Sequence, residues 1–191
     1  IPPMSLTEPA SRTDLNIIYE DPRTSTPGQG LLLWVKQTQG DQAAALWQQL
    51  AKKTVTVTKG WSEAYGMFLK GEADLVLSYT TSPAYHRLAE QKQQYHAALF
   101  DEGHYRQVEV AAQLKSAKHP ELAARFLKFM LSDEFQSLIP TGNWMYPVTG
   151  VALPDGFNQN ETPAKTLHLD EAQIAAQRKA WLQEWRGAVS Q

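Results

Sequence analysis

The sequence predicts an α/β fold with a largely parallel sheet. Short apolar or β-branched runs alternate with helical patterns, which is the order expected when helices connect parallel strands. Three strand, loop and helix units follow one another before residue 95. The composition agrees, because 42% of the 191 residues are hydrophobic, 20% are charged and the net charge is -2, as is typical of a folded globular chain.

Three strands and their connecting helices are predicted in the first half of the chain. The runs at 15–19, 54–58 and 74–78 have the length and composition of buried strands. Start and stop signals predict helices at 26–39, 41–53, 62–70 and 82–94, capped by Ser25 or Thr26, by Ser62 and by the hydroxyls of residues 80–82. Because the carboxyl ends of parallel strands meet at one edge of a sheet, the loops after these strands are the expected ligand-binding edge.

The second half of the chain is predicted to be mostly helical or irregular. A strand is expected at 108–112 and a helix at 120–131, whose apolar residues have core spacing: Leu122, Phe126, Phe129 and Met130. An irregular segment at 140–147 and an extended one at 148–166 lead to a final helix capped by Asp170. One stripe of that helix is predicted to pack, and it contains Ile174, Arg178, Trp181, Leu182, Trp185 and Val189.

The residues disfavour several classes of site. Cysteine is absent, which removes disulfides, thiolate metal sites and cysteine nucleophiles. No Walker motif occurs, and Leu33 stands where a dinucleotide fingerprint beginning at Gly28 needs its third glycine. The histidines form no metalloprotease pair, no serine-hydrolase elbow is present, and Glu102 and His104 have no third metal ligand nearby in the sequence. The near-neutral charge provides no basic stripe for nucleic acid.

Two of the predicted loops end in hydroxyl-rich helix starts. They read Ser25-Thr26-Pro27-Gly28 and Thr80-Thr81-Ser82-Pro83. Free backbone N–H groups and the positive end of the helix dipole make such a start suitable for an anion such as phosphate. Plain N-capping is the alternative, and the residues alone leave both readings open.

Aromatic side chains also lie in or beside the predicted loops: Trp61, Tyr79, Tyr85, Trp144 and Tyr146. Indole and phenol faces attract a flat cationic ring by stacking and cation-π contact, each worth about 0.5 to 2 kcal/mol. Core packing is the usual alternative for a lone aromatic residue. Trp61 and Tyr79 directly follow predicted strands, so a ligand contact is favoured for those two.

Four segments carry a resemblance to a known family. DPRTSTPGQGLLLW, TVTVTKGWSEAYGMFLKGEADLVLSYTTSPAY, DEGHYRQVEVAA and IPTGNWMYPV resemble the periplasmic thiamine-binding proteins of Gram-negative bacteria. The resemblance implies a type II periplasmic-binding-protein-like fold with a three-layer αβα lobe. It further implies a periplasmic carrier that takes thiamine, thiamine monophosphate or thiamine diphosphate into a cleft between two lobes. The partner it implies is the membrane permease of an ABC importer, with no catalysis and no cofactor.

The resemblance also implies which residues contact the ligand. Ser25, Thr26, Tyr79, Thr80, Thr81 and Ser82 would meet its phosphate or hydroxyethyl end. Trp61 would line the same pocket, and Tyr85 and Trp144 would pack against the rings.

By the same resemblance, the chain has an incomplete first lobe, because family members carry a long segment before the position of Ile1. Residues 1–104 would form the second lobe, 105–140 a return segment that normally packs into the first lobe, and 141–191 a C-terminal segment that packs back on the second lobe. Apolar surface left uncovered in this way predicts possible dimerisation. The alternatives are a related solute-binding protein for iron, a polyamine or another small ligand, and, in a different class, a thiamine-phosphate-using enzyme.

Overall fold

The computed structural model of the chain describes residues 1–190. Its elements in chain order are α1 (Glu8–Ser11), β1 (Ile17–Glu20), α2 (Thr26–Gln39), a 3₁₀ turn (Gly40–Gln42), α3 (Ala43–Ala51), β2 (Thr54–Thr58), α4 (Trp61–Leu69), β3 (Leu75–Val76), α5 (Ser82–Ala89), β4 (His104–Tyr105), α6 (Pro120–Phe129), α7 (Asp133–Gln136), α8 (Ile139–Gly142), α9 (Asp155–Asn158), β5 (Thr166–Leu167) and α10 (Glu171–Val189). These elements form two compact units. The first unit contains Ile1–Ser78, Ala98–Gln107 and the segment from Thr162 through α10, and the second contains Tyr79–Ala97 and Val108–Glu161.

The first unit is built on a parallel sheet in the strand order β2-β1-β3. On one face of the central strand, Tyr19 joins a core formed with α2, α3 and α10, including Trp47 and Trp185. On the other face, Ile18 packs against Ala64 of α4. Helices therefore cover both faces of the sheet, which gives the predicted three-layer αβα arrangement in this unit.

The last helix is fixed to the first unit by buried tryptophans. Asp170 caps α10 as predicted, since its side chain accepts a hydrogen bond from the Gln173 amide at 3.0 Å. Trp181 and Trp185 are both buried, and Trp185 Nε1 donates to the Tyr19 hydroxyl at 3.3 Å. The predicted packing role of these two indoles is therefore confirmed.

In the part of the second unit that the structure describes, the regular elements are helices α5 to α9, joined by irregular segments. Helices α5 and α9 pack closely, because a Cβ added at Gly156 would lie 2.4 Å from Leu88 Cγ. Arg87 fixes this contact by donating two hydrogen bonds to the Gly156 carbonyl. The unit boundaries do not fall at the predicted breaks after residues 104 and 140. The predicted boundaries describe which segments pack into each lobe of a longer, two-lobed chain, and they stay predictions.

Several sequence predictions about elements are wrong. Helix α5 ends at Ala89 and does not continue to residue 94, and α9 lies within the segment predicted to be extended at 148–166. No strand forms at 108–112, where Val110 is 88% exposed, because β-branched alternation needs a neighbouring strand to pair with. Ser62 does not cap α4, whose N-cap is Gly60 and whose first residue is Trp61. There the Glu63 carboxylate accepts a hydrogen bond from the Lys59 amide at 3.2 Å, which ties the first turn of α4 to the residue before its N-cap.

The predicted core stripe of α6 is also wrong for this chain. Helix α6 has no buried residue, and Phe126 is 55% exposed. Leu122 and Phe129 are likewise exposed. Helical spacing identifies an apolar face, but it does not say whether anything in the same chain covers that face.

Candidate functional site

Hydrogen bonds hold the loops that follow β1 and β2 side by side at the carboxyl edge of the first unit's sheet. The Asp21 amide donates to the Thr58 carbonyl at 2.9 Å, which extends the strand pairing by one residue. The Thr24 hydroxyl then donates to the Lys59 carbonyl at 2.7 Å. This second bond lies one residue before Ser25 and two residues before Trp61, so the two loops bring these site residues to the same edge.

Ser25 and Thr26 begin α2 at this edge. Ser25 is the N-cap, and its hydroxyl accepts a hydrogen bond from the Gly28 amide at 3.4 Å. Thr26 is the first helical residue and is exposed. No acidic residue lies in the first turn of α2, so nothing in that turn offsets the positive end of the helix dipole.

Gly28 explains how the start of α2 comes so close to the sheet. A Cβ at this position would lie 2.3 Å from the Glu20 carbonyl oxygen. Real Cβ atoms do not approach backbone atoms that closely, so a glycine is required here for close approach. The glycine that could suggest a dinucleotide fingerprint instead lets α2 pack on the end of β1.

Trp61 is the first residue of α4 and is held in place from two sides. Its Nε1 donates to the Ser78 hydroxyl at 2.9 Å, and its ring stacks on Tyr65 with centroids 4.7 Å apart and an interplanar angle of 21°. Ser78 follows β3, so this bond links the ends of two strands. The indole at the sheet edge is therefore fixed in orientation before any ligand arrives.

In the second unit, Tyr79, Thr80, Thr81 and Ser82 lead into α5, with Pro83 in the first turn as predicted. Thr81 is the N-cap residue, but its side chain makes no cap hydrogen bond. It is only 3% exposed, and among the described residues its hydroxyl oxygen has no hydrogen-bond partner. The prediction of a hydroxyl cap therefore fails at Thr81.

Tyr85 and Trp144 lie together in the second unit. Their rings meet edge to face with centroids 5.0 Å apart, and Trp144 stacks on the buried Phe157 with centroids 6.3 Å apart and an interplanar angle of 8°. Trp144 has a φ of 56°, an unusual conformation for a bulky residue. Such strained conformations cluster at functional sites, and packing against Phe157 holds this one.

The structure thus places the predicted site residues in two groups. Ser25, Thr26 and Trp61 belong to the first unit, and Tyr79, Thr80, Thr81, Ser82, Tyr85 and Trp144 belong to the second. Sequence reasoning missed Tyr65 and Ser78, which fix Trp61, and Phe157, which supports Trp144. The spacing of Trp61 and Tyr65 by one helical turn was the signal that could have found the first of them.

Two neighbouring acidic residues at the edge of the first unit's sheet have different surroundings. Asp21 forms an ion pair with Arg23, whose hydrogen bonds lower the pKa of the Asp21 carboxyl. Burial raises the pKa of the neighbouring Glu20 to about 8, so its carboxyl is mostly neutral at pH 7. Arg23 also lies over the Trp185 ring, with its guanidinium carbon 5.5 Å from the ring centroid.

The other acidic and imidazole groups weighed as ligands serve structural roles. The Glu102 carboxylate accepts from the Leu6 amide at 2.6 Å, and His104 Nε2 accepts from the Phe100 amide at 2.9 Å. Burial lowers the pKa of His104 to about 4, consistent with a neutral ring that accepts this bond. Within residues 1–190, no three His, Asp or Glu side chains are grouped so as to hold a metal ion, and no helix has the length and apolar character needed to cross a membrane.

An α/β unit with helix starts and a fixed aromatic ring at the carboxyl edge of its sheet is the architecture of a ligand-binding protein. The chain belongs to the bacterial extracellular solute-binding proteins, whose family profile matches residues 15–137. The predicted fold class is confirmed at this level.

Individual relatives are more specific. The chain is 64% identical over 190 residues to the thiamine-binding periplasmic protein of Escherichia coli K12, which covers 99% of this chain and 58% of that protein. It is 45% identical over 192 residues to the protein of the same name from Haemophilus influenzae, covering 99% of this chain and 57% of that protein. The chain thus spans less than two thirds of the length of these relatives. The resemblance recognised in the sequence is confirmed.

Solved structures agree with this assignment. A periplasmic thiamin binding protein superposes with a TM-score of 0.96 at 63% identity, over 100% of this chain and 60% of that one. A ferric binding protein from Campylobacter jejuni superposes with a TM-score of 0.73 at 18% identity, over 94% of this chain and 60% of that one. At that identity the second likeness shows the fold alone.

Proposed function

We propose that this chain belongs to a periplasmic carrier that binds thiamine and its phosphate esters and delivers them to the permease of an ABC importer. The observation that carries the proposal is the fixed indole of Trp61, held by Ser78 and Tyr65 at the sheet edge beside the start of α2. The names of the relatives, which are thiamine-binding periplasmic proteins, support the same ligand.

The chemistry of thiamine fits this edge of the first unit. Thiamine carries a flat thiazolium ring with a permanent positive charge, and an indole face is the best of the natural aromatic surfaces for such a cation. Because hydrogen bonding and stacking already fix the Trp61 ring, binding costs little side-chain ordering. The ring contact is therefore the part of the proposal that the geometry supports best.

A phosphate tail fits the start of α2. The half-buried Ser25 and the exposed Thr26 place two hydroxyls at the positive end of a helix of 14 residues. The corresponding contacts predicted in the second unit, from Tyr79, Thr80, Thr81, Ser82, Tyr85 and Trp144, stay predictions to be tested one substitution at a time. The activity proposed is binding without turnover.

Calorimetric titration with thiamine, thiamine monophosphate and thiamine diphosphate tests the proposal. It requires this chain and a longer version that adds the part of the relatives' length not covered here. Trp61→Ala should weaken binding by about 1 to 3 kcal/mol, because it removes the stacking surface. Trp61→Phe keeps a ring but loses the hydrogen bond to Ser78, so its affinity should lie between those of the wild type and Trp61→Ala. Trp34→Phe, in the middle of α2, is the matched control and should bind as the wild type does.

Two results would refute the proposal. One is that the longer wild-type protein binds none of the three ligands. The other is that Trp61→Ala binds them all as tightly as the Trp34→Phe control. Release of inorganic phosphate from thiamine monophosphate by the wild-type protein would instead favour the enzyme alternative.

A further inference from the structure

Glu20, the last residue of β1, has an environment that is unusual for an acidic side chain. Its exposure is 0%, and among the described residues neither of its carboxyl oxygens has a hydrogen-bond partner. Buried polar atoms are almost always paired, and a buried acid without a partner is far more costly when it is ionised than when it is neutral. An isolated buried acid at the end of the central strand therefore needs an explanation.

The strand register places Glu20 on the Trp61 side of the sheet. Ile18 and Glu20 are two residues apart in β1, so their side chains point to the same face, where Ile18 packs against Ala64 of α4. Glu20 pairs in register with Thr58, the last residue of β2, three residues before Trp61. Ile18 pairs with Val76 of β3, so extending this register by two residues places Glu20 opposite Ser78. Ser78 is the residue that accepts the hydrogen bond from the Trp61 indole.

The charged and titratable groups around this end of the sheet do not neutralise Glu20. In the loop after β1, Asp21 and Arg23 pair with each other. Lys59, next to β2, and Glu63, on α4, are exposed, and the Lys59 amide donates to the Glu63 carboxylate. Tyr65 of α4 stacks on Trp61. Strands β2 and β3 contain no titratable residue, and neither does the first turn of α2.

On the basis of the proposed function, we propose that Glu20 is a charge-responsive positioning residue for a cationic ring bound at Trp61. In the empty protein its carboxyl is neutral. When the ring binds, the carboxyl O–H bond breaks, the proton passes to solvent, and the carboxylate that remains balances the positive charge of the ring. No other bond forms or breaks.

Coulomb attraction explains why binding and proton release are linked. Burial raises the pKa of Glu20 to about 8, and a nearby positive charge in a poorly solvated setting favours the ionised form and lowers that pKa again. The protein then releases up to about 0.9 proton per ligand at pH 7, where roughly nine tenths of the empty sites are neutral. Affinity for the cation should rise with pH by at most about tenfold per pH unit, up to the pKa of the empty protein.

The test is calorimetry with unphosphorylated thiamine, which avoids a titrating phosphate, on the longer version of the chain. Repeating the titration at pH 7 in buffers of different ionisation enthalpy counts the protons released. We expect about 0.5 to 0.9 proton per thiamine for the wild type and for Glu63→Gln, an exposed control on α4, but close to none for Glu20→Gln. A neutral thiophene isostere of thiamine should release no proton. Glu20→Gln should also reduce the preference for thiamine over this isostere by about tenfold or more.

The outcomes separate this inference from the proposed function. If the wild-type protein binds thiamine without releasing a proton, or if Glu20→Gln releases as many protons as the wild type, the inference is wrong and the proposed function stands. If the longer wild-type protein does not bind thiamine, both are wrong. The wild-type proton count requires no variant, so the test remains decisive even if Glu20→Gln does not fold.

Discussion

Replacing Glu20 with glutamine should make the protein more stable at alkaline pH, independently of any ligand. Glutamine has nearly the shape of a neutral glutamic acid and cannot ionise. In the wild type, the buried carboxyl must lose its proton in a dry environment as pH rises. The substitution therefore removes the pH dependence of this one group and leaves the backbone packing of Gly28 on Glu20 unchanged.

The size and sign of the effect follow from the pKa values of the two states. The pKa of Glu20 is raised from 4.5 to about 8 in the folded protein. The folded chain therefore holds a proton that the unfolded chain has lost, and the stability that Glu20 contributes is complete below pH 4.5 and disappears as pH rises through 8. At about 1.4 kcal/mol for each tenfold change in the ionisation constant, roughly 3 kcal/mol is lost by pH 7.

Urea unfolding at pH 5 and pH 8 measures this directly. Relative to the wild type, Glu20→Gln should gain about 2 to 4 kcal/mol in the free energy of unfolding between the two pH values. Comparing two pH values cancels any fixed cost of burying the amide. Glu72→Gln, at an exposed position just after α4, is the control and should show almost none of this gain. A Glu20→Gln gain no larger than that of the control would refute the argument for a neutral buried acid.

Four further results are expected. Gly28→Ala should lower the free energy of unfolding by about 1 to 3 kcal/mol in urea titrations, whereas Gly30→Ala, with nothing near its Cβ position, should not. The stability that His104 contributes should fall as pH drops from 6.5 towards 4, because burial lowers its pKa to about 4, so His104→Gln should lose less stability than the wild type over that range in acid unfolding. Phe126→Ser should reduce both the binding of an apolar fluorescent dye and the fraction of dimer in sedimentation experiments. It should change the free energy of unfolding little, since that ring is 55% exposed. Ser25→Asp should keep the helix cap but weaken calorimetric binding of thiamine diphosphate much more than that of thiamine, while Ser25→Ala should cost about 1 kcal/mol of stability.

The parts of the fold that the sequence predicted correctly are those determined by local signals. The strand at 54–58 and the helix from Thr26 to Gln39 were found with their ends, because β-branched alternation, a serine cap and a stop glycine act within a few residues. Gly40 has a φ of 53° and ends the helix as expected. The edge on which the loops meet was also predicted, since it follows from the parallel order of the strands.

The errors concern features that depend on distant partners. The run at 108–112 has strand composition but no strand beside it, and α6 has an apolar face that remains exposed. Glu20 was overlooked because its sequence context, the end of an apolar strand followed by Asp21, looks like an ordinary exposed strand end. Only the register with Thr58 and the burial of its side chain distinguish it.

The choice between capping and ligand binding at Ser25 could not be made from sequence, because both roles require the same hydroxyl at the same place. The structure shows that the two roles are compatible. The Ser25 oxygen accepts a long bond of 3.4 Å from the Gly28 amide, and its own hydrogen can still be donated to an anion. An aspartate caps a helix equally well but repels phosphate. Ser25→Asp therefore separates helix capping from phosphate binding, which the position of the side chain alone cannot do. Loss of phosphate-ester affinity without loss of stability would therefore assign the hydroxyl to the ligand as well as to the helix.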